Sequence, residues 1–136
     1  MRELSHIASA LVIEDDYLIA VDLATMLKGL GLKSIKLVAN CEGAVELLES
    51  EHFDFATVDL RLPNEICFTA IDALIAARTP FIYVTGHDRS KDEAVPAAPW
   101  VSKPASREDL LTGILSAVSC SRTPTLKAWS AGRWQV

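Results

Sequence analysis

Short apolar runs alternate along this chain with stretches whose apolar residues recur every three or four positions. The runs Ala8–Ile13, Ser34–Val38, Phe55–Val58, Phe81–Val84 and Trp100–Ser102 are each too short for a helix and read as strands. Between them, Ile19, Leu23, Met26, Leu27 and Leu30 recur at helical spacing, and Gly29 and Gly31 mark the stop. Ala44, Val45, Leu47 and Leu48 follow the break at Asn40–Gly43, and Ile71, Leu74 and Ile75 stripe a helix running roughly from Glu65 to Arg78. A last helix starts at Ser106, with Asp109 three residues on as a capping-box variant, and buries Leu110, Leu111, Ile114, Leu115 and Val118. Between Gly86 and Pro99 the prolines leave room for one short helix at most. Strands of continuous hydrophobicity alternating with helices predict a parallel sheet covered on both faces. The fold class expected from this pattern is α/β, with a five-stranded parallel sheet.

Composition narrows this reading without redirecting it. The chain has 136 residues, half of them hydrophobic and 23% charged, which suits one globular domain over 1–120 and a basic tail over 121–136 that holds Trp129 and Trp134. A net charge of −5 argues against a general nucleic-acid surface, so no direct DNA binding is expected. The N-terminus lacks the apolar core of a signal peptide and no run approaches a membrane span, so a soluble, cytoplasmic protein with no membrane partner is expected. Cys41, Cys67 and Cys120 fit no metal or framework spacing and are expected as ordinary thiols of a reducing compartment.

The chemistry lies where the strands stop. Glu14, Asp15 and Asp16 end the first run, Asp59 the third, Thr85 the fourth, and Lys103 the fifth. Ligands bind beyond the carboxyl ends of such strands. Bare like charges at ~4 Å cost about 4 kcal/mol at an effective dielectric of 20, so these acids imply a cation. Magnesium suits one or two carboxylates plus phosphate oxygens, a carboxylate can accept a phosphoryl group, and a lysine and a hydroxyl can hold its oxygens.

Leu11-Val12-Ile13-Glu14-Asp15-Asp16, Val58-Asp59-Leu60-Arg61-Leu62-Pro63, Val84-Thr85-Gly86 and Trp100-Val101-Ser102-Lys103-Pro104 together resemble a bacterial response-regulator receiver domain, over about residues 7 to 119. The resemblance implies a flavodoxin-like, doubly wound sheet with its five strands in the order 2-1-3-4-5. It also implies a single-domain response regulator of a two-component phosphorelay, a phosphoprotein rather than a turnover enzyme. Asp59 is similar to the phosphoacceptor, supplied by a sensor histidine kinase or phosphotransfer protein. Glu14 and Asp15 resemble the magnesium-pocket acids, with Asp59 and the backbone carbonyl of Arg61 as further ligands of Mg2+; Asp16, one place beyond, is positioned to cap the first helix. Thr85 and Lys103 match the switch hydroxyl and the lysine, and Trp100 the switch aromatic; the Lys103–Pro104 bond would be cis by the same analogy. Arg61 and His87 occupy positions that influence the phosphoryl lifetime. The segment from Thr85 to Lys103 is shorter than in common receivers, which implies a shortened fourth helix and leaves the usual homodimer face in doubt. The output is expected to be a downstream protein target whose identity the sequence does not give.

Three rivals are weighed on residues. A phosphatase of the haloacid dehalogenase type wants an acid two places after its nucleophile, where Arg61 stands. A dinucleotide fold wants a glycine-rich loop where Glu14-Asp15-Asp16 stands. A pseudo-receiver, an interaction module without phosphorylation, would usually have lost an acid, the threonine or the lysine, and all are present.

Overall fold

The computed structural model describes residues 4, 6–62, 65–86, 95–122, 129–130 and 133–134, with side chains described through Ser119. Its strands are β1 (Ser9–Ile13), β2 (Ser34–Val38), β3 (Phe55–Val58), β4 (Phe81–Thr85) and β5 (Trp100–Ser102), and its helices α1 (Tyr17–Gly29), α2 (Cys41–Ser50), α3 (Phe68–Ala76) and α4 (Arg107–Arg122). The strands form one parallel sheet, as the alternating pattern predicts, in the order β2-β1-β3-β4-β5 that the resemblance implied. Trp129–Ser130 (β6) and Arg133–Trp134 (β7) form a short antiparallel pair. No described helix is long and apolar enough to cross a membrane. The shortened fourth helix expected after Gly86 falls on residues 87–94, outside the described residues.

Strand side chains alternate between the faces, so each strand feeds two cores. Ala10, Val12, Phe55, Ile82, Val84 and Val101 point to the face covered by Ala20, Leu23 and Leu27 of α1 and Leu110, Ile114 and Val118 of α4. Leu11, Ile13, Ala56, Val58, Phe81 and Tyr83 point to the other, against Ala44 of α2 and Ala70, Ile71 and Leu74 of α3.

The helix ends follow local chemistry. Asp16 caps α1 by accepting from the N–H groups of Leu18 and Ile19 at 3.0 and 3.3 Å. The Ser106–Asp109 capping box is present at the start of α4: Asp109 N donates to Ser106 Oγ at 3.0 Å and Ser106 N to Asp109 Oδ2 at 3.4 Å. Helix α3 starts three residues later than the Glu65 predicted for it. Leu62 N–H is bound to the Glu65 carbonyl at 2.7 Å and Arg61 bridges Ile66 in antiparallel fashion, so that backbone is already committed. The helix also stops two residues before Arg78, which takes up a left-handed conformation at φ 58°.

The cysteines depart from expectation. Cys41 and Cys67 are joined by a disulfide, with Cα atoms 5.7 Å apart. The first residue of α2 and the residue capping α3 meet because both helices start at the same sheet edge and cover the same face. Such a pairing is non-local, which is why a separation of 26 residues carried no signal in the sequence.

Candidate functional site

The register of the sheet assembles the strand-end residues. Ile13 pairs with Val38 on one side and Val58 on the other, so Glu14 and Asp59 leave adjacent strands at the same level. Their backbones continue the ladder one step: Asp59 N–H donates to the Ile13 carbonyl at 2.9 Å, and Glu14 N–H to Val38 at 3.0 Å. Thr85 pairs with Ser102, and Lys103 N–H donates to the Thr85 carbonyl at 3.0 Å. The parallel sheet thus turns four separate chain segments into one short row of functional groups.

Glu14, Asp15 and Asp59 each offer a carboxylate oxygen within 4.8 Å of the others. Glu14 and Asp59 are buried and Asp15 is exposed, so the trio opens to solvent on one side. Lys103 supplies the cation. Its Nζ lies 2.7 Å from Glu14 Oε1 and donates to Asp59 Oδ2 at 3.1 Å. The contact with Glu14 is an ion pair, and apart from Lys103 the buried Oε1 has no polar partner among the described residues. Glu14 Oε2 accepts from the Asp16 N–H at 3.1 Å.

Electrostatics follow from this crowding. Burial pushes the Glu14 carboxyl up to about 7, partly offset by Lys103 and the Asp16 N–H, while the Asp59 charge adds to the rise. Burial by itself would lower the Lys103 ammonium, but Glu14 and Asp59 outweigh it and hold it above its ordinary value. One lysine faces three carboxylates, so negative charge is left over. A buried acid oxygen whose one polar partner is an ammonium, beside two more hard oxygen donors and surplus negative charge, fits a small divalent cation.

The other predicted residues take the following places. Thr85 is buried at the end of β4, and Arg61 is half-buried two residues past Asp59. Trp100 is half-buried at the start of β5, its ring 5.4 Å from that of Tyr83 and tilted by 57°. It therefore sits at the far end of its strand from Lys103. His87 lies outside the described residues. The Lys103–Pro104 bond is cis, as the resemblance implied.

Two features escaped the sequence reading. Tyr83, a plain strand residue by pattern, is fully buried and donates from its hydroxyl to the Pro96 carbonyl at 2.7 Å, tying β4 to the segment before β5. Its aromatic neighbours Phe81 and Trp100 were visible, but an acceptor on the segment before β5 was not. The Cys41–Cys67 disulfide is the other, and it closes the backbone that follows Asp59.

The family model described as the response regulator receiver domain matches residues 10–115. This chain belongs to that family. Receiver domains act in two-component systems, and phosphorylation and magnesium binding are general among them. Over 122 residues the chain is 30% identical to the transcriptional regulatory protein PdtaR of Mycobacterium tuberculosis, in strains CDC 1551 and H37Rv, covering 85% of this chain. The chain spans 58% of the length of these curated relatives. A response regulator protein from Burkholderia pseudomallei, solved with a phosphorylated aspartic acid, a calcium ion and citrate, is 28% identical. It superposes with a TM-score of 0.67 over 82% of this receiver and 71% of that chain. The receiver domain of the sensor histidine kinase PA1611 from Pseudomonas aeruginosa PAO1 has a magnesium ion coordinated in its active site cleft. It shares the fold at a TM-score of 0.69 and 24% identity, over 82% of this receiver and 98% of that chain.

Proposed function

We propose that this receiver is a magnesium-dependent phosphoacceptor. Asp59 would take a phosphoryl group from a phosphohistidine on a sensor kinase or phosphotransfer protein and thereby change what the domain binds. The observation that carries this reading is the placement of Lys103 Nζ between Glu14 and Asp59, beside a carboxylate trio that fits a divalent cation.

Each residue then has a task. An Asp59 carboxylate oxygen attacks phosphorus, the phosphorus–nitrogen bond to the donor imidazole breaks, and the imidazole departs with a proton. Asp59 is held for this by its place at the end of β3 and by the Lys103 contact, so little reorganisation is needed. Lys103, already within 3.1 Å of Asp59, stays near the nucleophile as a compact cation for a phosphoryl oxygen. Glu14, Asp15, Asp59 and the Arg61 carbonyl are the groups that would hold Mg2+. Bound there, the ion neutralises charge on the phosphoryl oxygens. Thr85 offers its hydroxyl to the same group from β4, and Trp100 relays the change through its contact with Tyr83. Arg61 stands close enough in sequence to shield the acyl phosphate from water, and with His87 would set its lifetime.

Phosphoramidate, a phosphorus–nitrogen donor, tests this without any particular kinase. With magnesium, the protein should gain a hydroxylamine-labile phosphoryl group that an Asp59→Asn variant does not gain. Retention of the modification in Asp59→Asn would contradict the assignment of the nucleophile.

A further inference from the structure

The disulfide lies close to the chemistry yet has no part in it. Cys41 is the first residue of α2 and Cys67 the residue before α3, so the bond ties the start of one helix to the end of the loop that leaves Asp59. That loop is short and self-braced. Leu62 N–H reaches the Glu65 carbonyl at 2.7 Å, and Arg61 bridges Ile66, the neighbour of Cys67. A tether at Cys67 therefore acts through Ile66 on Arg61, two residues from the nucleophile. We infer that Cys41 and Cys67 form a reversible dithiol–disulfide site that sets how firmly the loop behind Asp59 is held and, through it, how fast Asp59 is phosphorylated. The second half of this statement rests on the phosphoacceptor reading; the first does not.

Three observations favour a reversible site over a fixed staple. The bond is not the sole link between the helices, because α2 and α3 also share an apolar core through Ala44, Ala70, Ile71 and Leu74. The two residues differ in exposure, Cys67 being buried at 5% and Cys41 half-buried, so Cys41 is the more open side for an incoming thiolate. Cys41 also opens a ten-residue helix, whose N-terminal partial charge stabilises the thiolate released there, and the Thr69 hydroxyl lies 3.2 Å from its sulfur. Reduction by a small dithiol then runs in two balanced steps. The dithiol's thiolate attacks Cys41 Sγ, the Sγ–Sγ bond breaks, and Cys67 leaves as a thiolate that takes up a proton. The second thiol of the reductant attacks the mixed disulfide, releases Cys41, and departs as a disulfide, so two electrons pass to the protein. Glutathione disulfide reverses the change, with Cys41 as the attacking thiolate.

The test uses the full chain with Cys120→Ser, so that only this pair can react. Samples equilibrated with glutathione disulfide or dithiothreitol are alkylated with N-ethylmaleimide and weighed intact. None of the thiols should be labelled in the first sample and two in the second, with the fold unchanged by circular dichroism. Amide exchange at Arg61, Leu62 and Ile66 should be at least about threefold faster in the reduced form. Phosphorylation by acetyl phosphate at limiting magnesium should be slower by a similar factor, because a looser loop is less preorganised. Cys41→Ser should behave as the reduced form under both treatments. The inference is overturned if the bond does not form with glutathione disulfide, if it survives dithiothreitol in the folded protein, or if it forms and breaks with no change in those amides. If the amides respond and neither form takes up phosphate, the redox site stands and the phosphoacceptor reading fails.

Discussion

Individual side chains do contrasting work at the two ends of the sheet. At the amino-terminal end, Asp54 holds the entry to β1: its Oδ2 accepts from the N–H groups of Ala8 and Ser9 at 2.9 and 3.1 Å, and its Oδ1 lies 3.0 Å from His52 Nε2. Burial would raise the Asp54 carboxyl, but these donors outweigh it and keep it below its ordinary 3.8. An acid whose folded value is depressed stabilises the fold above its unfolded value, and that contribution is lost as pH falls through the folded value. Asp54→Ala should therefore cost about 1 kcal/mol near neutral pH, and the gap to the native protein should narrow below about pH 4. Urea unfolding at both pH values checks this; a gap that widens in acid would contradict it. Within the sheet, Thr57 is buried between Val12 and Ile82, and its hydroxyl has no hydrogen-bond partner among the described residues. Removing a stranded hydroxyl at nearly constant shape is stabilising, so Thr57→Val should gain about 1 kcal/mol, read as a rise in Tm. A fall would mean that the hydroxyl is satisfied in solution.

At the scale of elements, the helix ends were legible wherever their signal was local. Ser106 and Asp109 read as a capping box and form one, and Gly31 at φ 109° ends α1 where its sequence position indicated. Leu32 N–H reaches back to the Leu27 carbonyl at 3.2 Å and Gly31 N–H to Lys28 at 3.0 Å, the paired bonds of a Schellman close. Helix α3 ends in the same way, with Thr79 N–H to Leu74 at 2.9 Å and Arg78 N–H to Ile75 at 3.0 Å, but here the left-handed residue is arginine. Sequence reading carried α3 on to Arg78 because the residue type gave no stop. A Cβ in that conformation costs free energy that glycine avoids, partly offset by the extra freedom of an unfolded glycine. Arg78→Gly should accordingly stabilise the protein by about 0.5 to 1 kcal/mol, whereas Gly31→Ala should destabilise it by about 1 kcal/mol. Thermal unfolding of the two variants decides this, and shifts of the same sign would contradict the argument.

Across the whole molecule, the parallel sheet is what makes a site out of scattered residues. Continuous apolar runs ending in Glu14, Asp59, Thr85 and Lys103 told in advance that these groups share one edge, because parallel strands all finish on the same side. Pattern could not tell that Lys103 would stand nearer to Glu14 than to Asp59, since that depends on side-chain reach across β1, β3 and the turn after β5. Nor could it pair Cys41 with Cys67, whose meeting needs two helices laid on one face. What periodicity and strand ends encode was readable; what tertiary proximity alone creates was not.

The central claim is that Glu14, Asp15, Asp59 and Lys103 make a magnesium-dependent phosphoacceptor. Intact mass after incubation with acetyl phosphate, with and without magnesium, tests it most directly beside an Asp59→Ala control. The account predicts the gain of one phosphoryl group that requires magnesium and is absent in the control. No gain under either condition in a folded protein would contradict it, and would mark the domain as a receiver fold that works through unphosphorylated contacts alone.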